Sequence, residues 1–151
     1  DHDRPLAPRG IKALPRLRDH LTHAANPPEV VLCSTSRRTV DTLEGIRGAL
    51  SRHARVEIER SVYDASADAL LVRLQLVDSD IGSAMVIGHN PAVQDLAVYL
   101  VGAGDPVMRA QLSAKLPTGA AVTLSFDGAW GDLAAGSAQI VDLFMPRPPR
   151  A

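Results

Sequence analysis

The sequence predicts an α/β protein, a three-layer α/β/α sandwich around a mostly parallel central sheet with an antiparallel edge. Three observations lead there. Short apolar runs of strand length alternate with longer stretches whose apolar residues recur at helical spacing. Two of those runs, residues 29–33 and 83–87, are apolar almost throughout, as in parallel strands covered on both faces. The last two strand-like runs are separated by a turn and a glycine-rich connection, which suits an antiparallel hairpin.

Taken in order, the chain opens on a polar, proline-rich stretch, Asp1 to Gly10, with none of the apolar character of a first strand. A helix is expected from Pro8, with Ile11, Leu14, Leu17 and Leu21 on its inner face and Pro15 kinking it or delaying its start. Residues 29–33 form the first buried strand, followed by the polar loop Ser34-Thr35-Ser36 and a helix that turns Val40, Leu43, Ile46 and Leu50 inward. Residues 55–59 alternate, as on a half-exposed edge strand. A helix with Leu70, Leu71, Leu74 and Val77 on one side leads to the strand at 83–87. Gly88-His89-Asn90-Pro91 then joins strand to helix, with Asn90 as expected N-cap, Pro91 as first helical residue, and an apolar stripe running to Val101. A short helix to Leu116, strands at 120–126 and 138–144, and a flexible tail at 146–151 complete the chain, read as a single domain over 1–151.

Composition narrows the function. A net charge of −1 and 3% aromatic residues give neither the basic surface nor the stacking platform of a nucleic-acid binder. One cysteine excludes an internal disulfide framework, and no apolar run is long enough to span a bilayer, so a cytoplasmic protein that engages no membrane is expected.

Chemistry is expected where open α/β sheets place their ligands, outside the carboxyl ends of the strands. Two strand-to-helix loops carry suitable residues. Arg38 begins a helix after a buried strand, and its planar fork of donors matches phosphate oxygens, whereas Arg37 points about 100° away around the helix. His89 stands at the other loop, beside a helix start whose N–H groups favour an anion.

Arg4-Pro5-Leu6 with Gly10, then Val31-Leu32-Cys33-Ser34 with Arg38 and Thr42, then Val86-Ile87-Gly88-His89-Asn90-Pro91, resemble successive motifs of the histidine phosphatase superfamily. The resemblance covers nearly the whole chain and is nearest to the small SixA-like phosphohistidine phosphatases. It implies a phosphoglycerate mutase-like fold and a phosphatase acting on phosphohistidine of a protein partner. A nucleophilic histidine attacks phosphorus, and water hydrolyses the phosphohistidine enzyme intermediate. Arg38 matches the second arginine of the family pocket and His89 the second histidine; Ser34 and Asn90 join them as expected substrate contacts. No metal and no cofactor are implied. A small phosphate ester as substrate, or a noncatalytic member that only binds a phospho-ligand, are the alternatives.

The family's first strand, with its Arg-His nucleophile motif, has no counterpart in these residues, so a segment of about 15 to 20 residues upstream of Asp1 is expected to supply the core strand. Arg52-His53-Ala54 has the right letters but follows a helix rather than a strand. Where many relatives carry a glutamate as proton donor, this chain has Ser61-Val62-Tyr63-Asp64; Asp64 is the candidate acid, against a surface role near a helix start. Rival chemistries fit less well. Four residues separate Cys33 from Arg38, one fewer than a cysteine-dependent phosphatase loop requires, and Cys33 reads as a buried thiol. The nucleophile motif Gly-x-Ser-x-Gly is absent, and His20 and His23 have no acidic partner that would make a metal site.

Overall fold

The computed structural model describes residues 1–146, and the chain folds as two compact units. The first takes Asp1–Asp64, Ile81–Gly88 and Pro146; the second takes Ala65–Asp80 and His89–Met145. Both are mixed helix and strand, and three of the four strand pairings are parallel.

The first unit is built on β1 (Val30–Ser34), buried at every position. Continuous burial follows from its place in the sheet, between β2 (Arg55–Glu59) and β3 (Ala84–Ile87), both parallel to it. The register sets Cys33 against Ile58 on one side and Ile87 on the other, so the carboxyl ends of all three strands fall level. Val31, Cys33 and Leu43 form the centre of the core, with Val40, Leu50, Val56, Met85 and Ile87 packed around them. β2 is the expected edge strand, and Ile58 on it is 47% exposed. β3 was expected to be buried. As an edge strand of this sheet it is half-buried throughout.

Two helices complete this unit. α1 (Pro8–Thr22) starts at Pro8, in a first-turn position where the missing N–H costs nothing, and runs on through Pro15, which leaves the Ile11 carbonyl without its intrahelical donor. Its buried residues are Gly10, Ala13 and Leu17, and Ile11, expected inside, is 55% exposed. Helical geometry accounts for this, since Ile11 lies about 100° around the axis from Gly10. A Cβ on Gly10 would come within 2.6 Å of the Leu6 side chain, so the glycine lets buried Leu6 close over the helix start. α2 (Arg37–Ile46) buries Thr39, Leu43 and Ile46. Each leucine-sized side chain removed from water in this way contributes roughly 2 kcal/mol.

In the second unit, α4 (Ala67–Gln75) is N-capped by Ser66, whose hydroxyl accepts from the Ala69 N–H at 3.2 Å. α5 (Ala92–Leu100) starts one residue later than expected, with Pro91 rather than Asn90 at the cap. Val101 does not extend its stripe but opens β4 (Val101–Gly104), a strand that the sequence reading did not include. β4 pairs in parallel with β6 (Ala138–Phe144), and β5 (Ala121–Phe126) pairs with β6 as the expected antiparallel hairpin. α6 (Pro106–Ala114) is capped by Asp105, whose carboxylate accepts from Val107 N–H at 3.1 Å. Ala97, Val101, Leu112, Leu116 and Ile140 make this unit's core. The expected tail lies outside the described residues except for Pro146, whose carbonyl accepts from the Arg16 guanidinium.

Candidate functional site

β1 delivers Ser34 to its carboxyl end, and the chain must turn there from strand into α2 within two residues. Three hydroxyl side chains make that turn. Ser36 is the N-cap of α2, its hydroxyl accepting from Thr39 N–H at 3.4 Å. Thr39 Oγ1 lies 2.7 Å from Ser36 Oγ, 3.0 Å from the Ser34 carbonyl and 2.9 Å from the Ser36 carbonyl. Ser34 itself is fully buried, and its hydroxyl accepts from the Ser36 N–H at 3.2 Å. A loop whose polar atoms are satisfied internally holds its shape without a ligand.

Arg38 leaves the first turn of α2 with its side chain 21% exposed, whereas Arg37 is exposed, as the helical offset between them requires. One guanidinium nitrogen of Arg38 donates to the Asp1 carbonyl at 3.1 Å, and the other lies 3.5 Å from Asp1 Oδ2. Residues 1–6 therefore cross this loop as a strap. His2 accepts at its carbonyl from Arg37 N–H (2.9 Å), and its Nε2 sits 2.8 Å from Thr35 Oγ1. Its ring meets the Tyr63 ring edge to face at 4.7 Å. Leu6 N–H donates to Asp41 at 3.1 Å. Asp1, His2 and Tyr63 were missed as site residues; the Arg4-Pro5-Leu6 motif was the available signal that this polar start belongs to the site loop.

Asp64 follows α3 (Arg60–Tyr63), a short helix absent from the sequence reading, and is its C-cap rather than a residue at a helix start. Its carboxylate lies 3.4 Å from the Arg60 guanidinium, which also stacks 5.0 Å from the Tyr63 ring centre. Cys33 is fully buried, and its thiol donates to the Ser34 carbonyl at 3.3 Å. Burial pushes that thiol up to about 11, opposed in part by a hydrogen bond with Thr39, so at neutral pH it is protonated and not a nucleophile. Arg52-His53 lies in the turn before β2, at the amino end of the parallel sheet. Five strand residues at about 3.3 Å each separate it from the carboxyl end.

In the second unit, His89 is half-buried and its carbonyl accepts from the Val93 N–H at 2.9 Å, closing the first turn of α5. Asn90 uses both ends of its side chain. The amide donates to the Leu116 carbonyl at 2.6 Å, and Oδ1 accepts from Gln94 N–H at 3.3 Å. Gln94 in turn donates to the Leu112 carbonyl at 2.8 Å. Among the described residues no three His, Cys, Asp or Glu side chains are grouped to hold a metal ion, and no helix is long and apolar enough to cross a membrane.

No family model matches the chain. Solved structures do. The candidate phosphohistidine phosphatase SixA of Nakamurella multipartitia superposes with a TM-score of 0.83 at 29% identity, over 97% of this chain and 87% of that one. The protein histidine phosphatase SixA complexed with tungstate superposes with a TM-score of 0.74 at 22% identity, over 97% and 86%, and at that identity speaks for the fold alone. The chain thus has the fold of the SixA-like histidine phosphatases. In sequence it stands beside two uncharacterized mycobacterial proteins. Rv1276c of Mycobacterium tuberculosis is 34% identical over 151 residues, spanning 97% of this chain and 92% of its own length. ML1117 of Mycobacterium leprae is 31% identical over 150 residues, spanning 97% and 89%.

Proposed function

We propose that this protein is a phosphohistidine phosphatase that removes the phosphoryl group from a histidine of a partner protein. The observation that carries the reading is Arg38, held mostly out of solvent at the start of α2 and level with the end of the buried central strand. A permanently charged planar fork in that position suits a phosphoryl group. In this reading Arg38 clamps the phosphoryl oxygens, and His89 is a second ligand that donates to a transferring oxygen. Neither attacks phosphorus. A separate histidine does so, forming a P–N bond as the substrate histidine leaves, and water then cleaves the phosphohistidine intermediate to release phosphate. Stabilisation of charge on the equatorial oxygens supplies most of the rate. Ser34 acts through the loop's shape, while the engagement of Asn90 with Leu116 and Gln94 suits it to hold the His89 loop rather than to touch substrate. Asp64, turned to Arg60, is the weaker part of the assignment as proton donor; a phosphoramidate leaving group needs less acid help than an alcohol. Metal-independent action in the cytoplasm completes the proposal.

The test is single-turnover hydrolysis of phosphohistidine on a carrier protein by the full-length protein, compared with Arg38→Ala and His89→Ala. Each substitution is expected to slow turnover by about 100-fold, the usual cost of losing one group that stabilises a charged transition state. A loss below about tenfold in both would overturn the assignment. Phosphate-ester hydrolysis that survives while phosphohistidine is untouched would move the substrate to the small-ester class.

A further inference from the structure

Around Arg38, donors converge on a single carboxylate. Asp1 Oδ2 lies 3.5 Å from the Arg38 guanidinium and 3.4 Å from the Tyr63 hydroxyl, and Asp1 Oδ1 lies 3.5 Å from the Arg4 guanidinium. The Asp1 carbonyl takes a second donor of Arg38 at 3.1 Å. Asp1 is not loosely draped there. The strap behind it is fixed at the His2 carbonyl, at the His2 ring on Thr35 and at the Leu6 N–H on Asp41, all of them contacts with α2 or the loop that precedes it.

From this geometry we infer that Asp1 is a positioning residue for Arg38, fixing the plane of the guanidinium before an anion arrives. The inference rests on the reading of Arg38 as a phosphoryl clamp. A guanidinium offers five N–H donors in a rigid fork, so two contacts with one residue set the direction of the whole plane. The long side chain of an arginine otherwise loses much rotamer freedom when it binds, and ordering it in advance removes that cost from the binding step. The Asp1 carboxylate faces two guanidinium groups, with the Tyr63 hydroxyl and the Thr35 hydroxyl as neutral neighbours, while Asp3 lies on the His2 ring and Asp41 on the Leu6 N–H. The opposite role for Asp1, a built-in anion that occupies the clamp and competes with phosphate, predicts the reverse effect of removing it.

Inorganic phosphate binding to the full-length protein, measured by calorimetric titration, separates these roles. Four variants are compared with wild type: Asp1→Ala, Asp1→Asn, Arg38→Ala and the Asp1→Ala/Arg38→Ala pair. Positioning predicts that Asp1→Ala weakens phosphate binding about fivefold or more, and that Asp1→Asn stays within about twofold, because its single amide oxygen still accepts from Arg38 and Tyr63 and only the Arg4 contact is given up. It also predicts that Asp1→Ala adds nothing once Arg38 is gone, an outcome a general loss of stability would not give. Tighter binding by Asp1→Ala overturns the inference in favour of competition, and unchanged binding overturns it outright. If Arg38→Ala itself leaves phosphate binding unchanged, the clamp reading fails and takes the positioning role with it. If Arg38→Ala weakens binding while Asp1→Ala does not, only the positioning role fails.

Discussion

The side-chain amide of Asn90 donates to the carbonyl of Leu116 at 2.6 Å, tying the loop after His89 to the end of the segment that follows α6. Its other end accepts from Gln94 and so caps the first turn of α5. Replacing Asn90 with alanine removes both bonds, which at this exposed position is expected to cost about 1 kcal/mol in denaturant unfolding. Asn90→Asp is expected to be no better at neutral pH. It keeps the acceptor for Gln94 but sets a carboxylate oxygen against the Leu116 carbonyl. An aspartate variant as stable as wild type would show that the Leu116 bond contributes nothing.

Cys33 gives a pH dependence with a definite sign. Its thiol titrates near 11 in the folded protein against an ordinary value of 9.0, because burial disfavours the thiolate. Between those two values the unfolded chain has released the proton and the folded one has kept it. Stability is therefore whole below about pH 9 and falls as pH rises towards 11. The loss is on the order of 2 kcal/mol at the upper end. Comparing wild type with Cys33→Ala isolates it, since lysines and tyrosines titrate alike in both. The alanine variant starts less stable but has the shallower slope from pH 9 to 11. The same burial predicts that alkylating reagents leave native Cys33 unmodified at pH 7.5 and label it only after denaturation.

Gly102 is the sharpest steric constraint in β4. A Cβ there would lie 2.1 Å from the carbonyl oxygen of Gly136, a contact no rotamer change relieves because the atom it meets is backbone. Gly102→Ala is expected to cost about 2 to 3 kcal/mol or more, by pushing β4 away from the chain that leads into β6. Equilibrium unfolding measures it. A cost under about 0.5 kcal/mol would mean that β4 and its neighbour are not held at this separation.

That contact also explains why β4 was illegible in sequence. Val101-Gly102-Ala103-Gly104 has the composition of a loop, and what makes it a strand is the close approach of another glycine more than thirty residues away. β1 stands at the other extreme. The buried run Val30 to Cys33 could be read directly from its residues, but the strand begins after exposed Glu29 and takes in Ser34, which the sequence reading places in the following loop. The half-burial of β3 could not, since a continuous apolar run says nothing about whether a strand lies inside a sheet or at its edge. Within the site, Arg38 was legible because a helix start after a buried strand fixes its place. The roles of Asp1 and His2 depend on the strap's long-range contacts with Thr35, Arg37 and Arg38, which a polar, proline-rich start does not announce.

β1 is flanked along its length by parallel partners, so it has no open edge from which to unzip. A fluctuation that displaced Ser34 would have to break into a buried strand bonded on both sides. The loop that begins at Ser34 thus inherits the slowest motions of its unit. If Arg38 is the clamp of the proposed function, an anion arriving there meets donors whose backbone support is already ordered, and little of its binding energy is consumed in organising the receptor.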